Sequence, residues 1–265
     1  MNSTSRVTSI LKTKSLDTAV TGLPTFSLAK LNLNSDLNFE LPTNLRLGHV
    51  AERVVSELIK ASTNYNVLCE NIQILDNKTT IGEIDFIIEN NDTKQCIHLE
   101  LAYKFYLFDP FHSAELINNW IGPNRNDSLK EKLEKLKQKQ FPLLHHASAK
   151  SACSAIDLNN VLQALCLLAS LYIPYGLKSN FSSAYEKAIK GYYLDFQTFS
   201  SLDKSEKLYG LPTKKEWGID PSENEDWLSF SDVEKQIRVS LQEKQAPLIW
   251  QKHNDTYVSF FIVWW

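Results

Sequence analysis

Apolar residues recur at helical spacing from Leu47 onward. Val50, Val54, Leu58 and Ala61 stand three or four residues apart and predict an amphipathic helix over about 48–62. Ser62, Thr63 and Asn64 break that pattern. Val67–Leu75 then reads as a strand, and Asp76-Asn77-Lys78 as a turn. Thr80–Glu89 alternates strictly and predicts a second strand. After the turn Asn90-Asn91-Asp92-Thr93, a long third strand runs from Gln95 to about Phe108. Asp109-Pro110 ends it, because proline cannot donate to a ladder.

The loop Ile121–Asp127 leads into a predicted helix over about 127–141, with Asp127 or Ser128 as cap and Glu131 placed to help. Leu129, Leu133, Leu136 and Gln140 share one face of it. The apolar run Val161–Ile173 predicts a buried helix over about 157–173, capped by Asp157. It is shorter than the ~20 residues a bilayer requires, so no membrane span is expected. Gly191–Phe196 reads as a strand, Trp217–Trp227 as a loop, Ser231–Lys244 as a helix and Tyr257–Trp265 as a terminal strand. Residues 1–42, rich in Ser, Thr, Asn and Leu, carry few clear periods and are expected to form a peripheral lead-in. Residues 43–265 are expected to form a single α/β domain around a mixed sheet, with its core at about 47–142 and a C-terminal α+β elaboration at about 150–265.

Composition narrows the class. With 43% hydrophobic and 22% charged residues among 265, the chain is an ordinary globular one. A net charge of −3 excludes a protein that coats nucleic acid through bulk positive charge, while leaving room for a local basic groove. The four cysteines include no C-x-x-C pair and lie among apolar neighbours, which predicts reduced core thiols. Met1–Arg6 leads into no apolar stretch, so no secretory signal is expected and the location expected is the cytoplasm. No G-x-S-x-G, P-loop or G-x-G-x-x-G motif occurs, so serine-hydrolase, NTPase and dinucleotide readings have no support.

The chemistry concentrates on the second and third strands. Side chains alternate across a strand, so Ile81, Glu83, Asp85 and Ile87 share one face. On the third strand His98, Glu100, Ala102, Lys104 and Tyr106 share a face, opposite an apolar face of Ile97, Leu99, Leu101, Tyr103, Phe105 and Leu107. A hairpin brings the acids within about 5–7 Å of one another. Two carboxylates ~4 Å apart repel by about 4 kcal/mol at an effective dielectric of ~20. Such a cluster calls for a divalent metal, a lysine or a proton. Oxygen-only ligands favour Mg²⁺ or Mn²⁺, and Lys104 is placed to orient water or stabilise developing charge, an arrangement suited to metal-assisted phosphodiester hydrolysis. A plain solvent-exposed strand face is the competing reading.

Gly82-Glu83-Ile84-Asp85-Phe86 and the run His98–Leu107 resemble the DUF1853 family, as do Trp120–Asp127 with Leu129, Lys132, Leu133 and Gln140, and Lys190–Tyr193. That family is grouped with the PD-(D/E)XK nuclease-like superfamily. The resemblance extends from about Leu47 to the end and is strongest over 47–142. It implies a restriction-endonuclease-like core, with a central mixed β-sheet flanked by helices. It further implies a metal held by Asp85 and Glu100. An acid from the first helix would complete the shell, with Glu52 first and Glu57 as competitor. The lysine usually two residues beyond the glutamate is replaced by Ala102, and Lys104 is the nearest lysine on that face.

Secondary candidates surround this centre. Glu83 and His98 flank the acids, and His98 reads first as a hydrogen-bonding neighbour and second as a ligand. Arg125 and Asn124, where a loop enters a helix, are candidate phosphate contacts. Lys132 is a candidate groove edge and Gln140 is placed to reach the site. The expected partner is DNA or RNA, and the expected activity is that of a Mg²⁺- or Mn²⁺-dependent nuclease. The alternative is a non-catalytic nucleic-acid-binding or protein-interaction module on the same fold.

Overall fold

The computed structural model describes residues 3–34, 37, 39–178 and 180–265. Its α-helices are α1 (Ser3–Lys12), α2 (Thr18–Thr21), α3 (Leu47–Lys60), α4 (Leu129–Lys135), α5 (Ala147–Ala152), α6 (Ser183–Glu186), α7 (Phe196–Ser201) and α8 (Phe230–Gln242). Its strands are β1 (Tyr65–Asp76), β2 (Thr79–Asn90), β3 (Cys96–Phe108), β4 (Trp120–Ile121), β5 (Leu162–Pro174), β6 (Ile189–Asp195), β7 (Lys207–Gly210), β8 (Leu248–His253) and β9 (Thr256–Val263). Among the described residues the strands form one nine-stranded mixed sheet in the order β1-β2-β3-β5-β6-β9-β8-β7, with β4 on β3. β5–β6 and β6–β9 are parallel, while β1–β2, β2–β3, β7–β8 and β8–β9 are antiparallel. Helices flank the sheet, and among the described residues none is long and apolar enough to cross a membrane.

The chain divides into two compact units. The first holds the residues up to Lys104 together with Glu131–Leu168, and the second holds Phe105–Lys130 with Ala169–Trp265.

In the first unit, α3 buries Val50, Ala51, Val54, Val55, Leu58 and Ile59 and packs on β1. Asn77 and Lys78, both at positive φ (46° and 69°), make the two-residue turn that joins β1 to β2. Ile74, Ile84, Ile87, Leu143, Leu144, Ala149, Cys153 and Leu158 form one core cluster. Gly82 matters there, because a Cβ at that position would meet a Leu143 methyl carbon at 2.5 Å. The missing side chain lets the segment after α4 lie against β2.

Three expectations need correction in this unit. The expected helix over 157–173 is strand β5, preceded only by a short 3₁₀ turn at Leu158–Asn160 that Asp157 caps. β5 is buried through its middle, and a strand covered on both faces shows a continuous apolar run instead of alternation. The expected peripheral lead-in packs on β5 and supplies part of its backbone pairing. Leu16 N–H donates to the Leu167 carbonyl (2.9 Å), Phe26 N–H to the Leu165 carbonyl (2.9 Å), and Leu165 N–H to the Pro24 carbonyl (2.8 Å). Ile10, Leu16 and Phe26 are buried with it. The expected helix over 127–141 is α-helical only as far as Lys135. It continues as a π-helical segment, Leu136–Gln140, and then a 3₁₀ segment, Phe141–His145.

In the second unit Leu194, Phe199, Tyr209, Val233, Ile237, Ile249, Phe260 and Ile262 form the core, under α7 and α8. The predicted 231–244 helix and 257–265 strand correspond to α8 and β9.

Candidate functional site

The β2–β3 hairpin brings the acids together. Its register runs Glu89↔Cys96, Ile88↔Ile97, Ile87↔His98 and Phe86↔Leu99, so Asp85 and Glu100 stand at the next step. There the Asp85 side chain takes over from the ladder, and its Oδ2 accepts the Leu101 N–H at 2.8 Å. That bond fixes where the carboxylate points.

Glu100 and His98 are fully buried, at 0% exposure each. The face that alternation marks as charged is therefore covered. Glu100 is held on both oxygens. His98 Nε2–H donates to Oε1 at 2.8 Å, and the Gln140 amide donates to Oε2 at 2.6 Å. The other ring nitrogen of His98, Nδ1, is buried and has no hydrogen-bond partner. The His98 ring also meets the edge of Phe141, 5.3 Å between centroids. Lys132 Nζ donates to Gln140 Oε1 at 3.1 Å and completes a chain from α4 to β3. In a continuous α-helix, residues eight apart stand about 80° apart around the axis. The wider π turns rotate less per residue, which brings Lys132 and Gln140 onto one side.

The electrostatics are strained in one direction. Burial, followed by the nearby Glu100, pushes the Asp85 carboxyl well above the ordinary carboxylate range. The Leu101 amide and Lys132 oppose this, and Glu52 adds to it. Glu83 is raised as well, first by burial and then by Glu52, with His49 opposing and Glu100 adding. Lys132 is lowered by burial against the pull of Asp85 and Glu100, and Lys104 and Lys135 lower it further. The acids thus hold their protons more tightly and the lysine less tightly than usual, because burial disfavours the charged form of each.

The family model described as "Domain of unknown function (DUF1853)" matches residues 9–257. The chain belongs to the DUF1853 family. No curated protein and no solved structure matches it. The match begins within α1 and includes the segment that pairs with β5, so the DUF1853 region takes in most of the lead-in.

The remaining candidates of this DUF1853 chain fall into two groups. Asp85, Glu100, His98, Gln140, Lys132 and Lys104 all belong to the first unit, and the first five are joined by the bonds and charge interactions given above. Lys104 acts on Lys132 through its charge. Glu52 lies on α3, half-buried, and accepts from His49 Nδ1 at 2.9 Å. Glu57 pairs with Arg53 at 3.0 Å. Among the described residues, no group of three or more His, Cys, Asp or Glu side chains is arranged to hold a metal ion.

Asn124 and Arg125 belong to the second unit and have partners of their own there. Arg125 pairs with Asp109 at 3.1 Å and lies 4.5 Å from the Trp265 ring centroid. Asn124 Oδ1 accepts the Ala246 N–H at 2.8 Å. What the pattern alone undervalued is Lys132, read as a groove edge but partly buried, bonded to Gln140 and within electrostatic reach of both acids. Its position on the apolar side of the 129–136 stripe was the available signal.

Proposed function

We propose that this DUF1853 chain is a metal-dependent phosphodiester hydrolase acting on nucleic acid, on a PD-(D/E)XK-like core. The observation that carries this reading is the Asp85–Glu100 pair: two neighbouring carboxylates, one fully buried and clamped on both oxygens, with the partly buried Lys132 beside them. The order α3, β1, β2, β3 and then a helical segment bearing Lys132 and Gln140 supports the same core.

The donor set suits Mg²⁺ or Mn²⁺. It offers oxygen only, and each carboxylate oxygen accepts more than the one bond it makes here. Two carboxylates match an ion that keeps several of its waters and takes the rest of its shell from a substrate phosphate. When bound, such an ion neutralises phosphate charge and lowers the pKa of water. Asp85 and Glu100 would hold it, and Glu52 would stand behind them as a further source of negative field. His98 and Gln140 keep Glu100 in one orientation. Lys132 gives up its proton more readily than an ordinary lysine, which suits a group that takes a proton from attacking water. It fills the role expected of Lys104, which stands near enough to tune it.

The test is cleavage of a mixed DNA and RNA panel with Mg²⁺, Mn²⁺ or EDTA, comparing wild type with Glu100→Ala. The expected result is metal-dependent cutting that vanishes in the variant. Cutting in EDTA, or a folded Glu100→Ala protein as active as wild type, overturns the reading. One observation favours a second reading, a non-catalytic nucleic-acid-binding module: no third acidic ligand joins the pair among the described residues, and a proton on Asp85 then relieves the repulsion. Binding that is indifferent to EDTA and falls with salt, without cutting, would select it.

A further inference from the structure

Three of the four cysteines line one pocket of the first unit. Cys69 on β1, Cys96 at the start of β3 and Cys153 after α5 surround a cavity of about 400 Å³, together with Leu68, Glu89 and Ile156. Cys153 is almost fully buried, whereas Cys69 and Cys96 are partly exposed. Cys69 packs against the core cluster that contains Cys153, and the two thiols stand close enough to act on one another. The strand bearing Cys69 is irregular between Val67 and Cys69, which sets that side chain off the regular ladder.

We propose that Cys69 and Cys153 are a reversible dithiol, which a low-molecular-weight disulfide entering this pocket oxidises to an intramolecular bond. The half-exposed Cys69 reacts first. As its thiolate it attacks one sulfur of the external disulfide, whose S–S bond breaks and releases one small thiolate, which takes a proton from solvent. Cys153 then loses its proton to solvent and attacks the Cys69 sulfur, expelling the second small thiolate. Two protein thiols are oxidised to one disulfide, and the external disulfide is reduced to two thiols.

The neighbours explain the order. Burial, followed by Cys69, holds the Cys153 thiol up at about 11, so Cys153 is a poor first nucleophile and a resolving one by proximity. Burial and Glu89 raise Cys96, which makes it the weaker competitor at the pocket mouth. The link ties the edge strand β1 to the end of α5, a helix whose first turn already bonds β1 through Ser148 Oγ–H to the Leu75 carbonyl. None of this depends on the hydrolase reading.

The test uses the reduced full-length chain incubated with oxidised glutathione, followed by thiol counting and peptide mapping. The expected result is a fall from four free thiols to two, a single cross-linked peptide pair containing Cys69 and Cys153, and full reversal by dithiothreitol. Cys153→Ser should instead accumulate glutathione on Cys69, and Cys153→Ala repeats that readout if the serine variant does not fold. A Cys69–Cys96 link, stable glutathione on wild-type Cys69, or four unreacted thiols overturns the proposal.

Discussion

Two acids on neighbouring strands of the first unit show how differently a fold treats a carboxylate. Glu70 on β1 is surrounded by its own cations and donors. Lys60 Nζ donates to its Oε1 at 2.6 Å, the Ser56 hydroxyl donates to its Oε2, and Arg53 adds favourable charge. Burial raises the Glu70 pKa, but these partners outweigh it and leave the carboxyl below its ordinary value. Asp85 on β2 is desolvated more deeply than Glu70 and has Glu100 beside it, and it ends well above its ordinary value. One cluster is complete as it stands. The other keeps two carboxylates together at an electrostatic cost, which the proposed cation would relieve.

The predictions test that contrast. The largest effect is catalytic. Glu100→Ala should lower metal-dependent cleavage by at least about 100-fold, since it removes an ion ligand outright. Glu70→Gln should leave the rate within about twofold of wild type. Lys132→Met should lower the rate by about 10²-fold, the usual contribution of one proton-transferring group, and Lys104→Met by less.

Thermal stability comes next. Saturating Mn²⁺, at a hundred times its dissociation constant, should stabilise wild type by about 2.7 kcal/mol and raise Tm by about 5–10 °C. The shift should be absent from Asp85→Asn and intact in Glu70→Gln.

The metal-free protein gives opposite pH signs for the two acids. A raised carboxyl stabilises the fold below the ordinary carboxylate range, and that contribution is lost as pH rises through its folded pKa. Asp85→Asn should therefore be more stable than wild type at neutral pH. A lowered carboxyl stabilises above the ordinary range and loses its contribution as pH falls. Glu70→Gln should lose about 1 kcal/mol at neutral pH, discounted because Lys60 is 40% exposed, and the deficit should close in acid. Denaturant melts at pH 4 and pH 7 distinguish the two. The smallest effect is Arg125→Ala, which should cost about 0.5 kcal/mol of stability through the Asp109 pair and the Trp265 face.

The β1–β2–β3 unit was legible in the sequence because its signals are local: alternation, turn residues at Asn77-Lys78, and Pro110 beyond the third strand. The pairing of Asp85 with Glu100 followed from that register. β5 was not legible, because burial on both faces erases the period that separates strand from helix, and its N-terminal partner segment lies far away in sequence. The π segment was hidden for another reason. Its residues are ordinary helix formers, and the wider turn comes from packing Leu143 against Gly82 and Gln140 against Glu100. Arg125 beside a helix start suits phosphate equally well on paper, and only the fold reveals Asp109 and Trp265 already beside it.

The most direct test is calorimetric titration of Mn²⁺ into the metal-free wild type, Asp85→Asn and Glu70→Gln proteins. Saturable binding to wild type and Glu70→Gln, with none to Asp85→Asn, is the predicted result. No binding to wild type, or equal binding to Asp85→Asn, would contradict the claim that the Asp85–Glu100 pair is built to receive a cation.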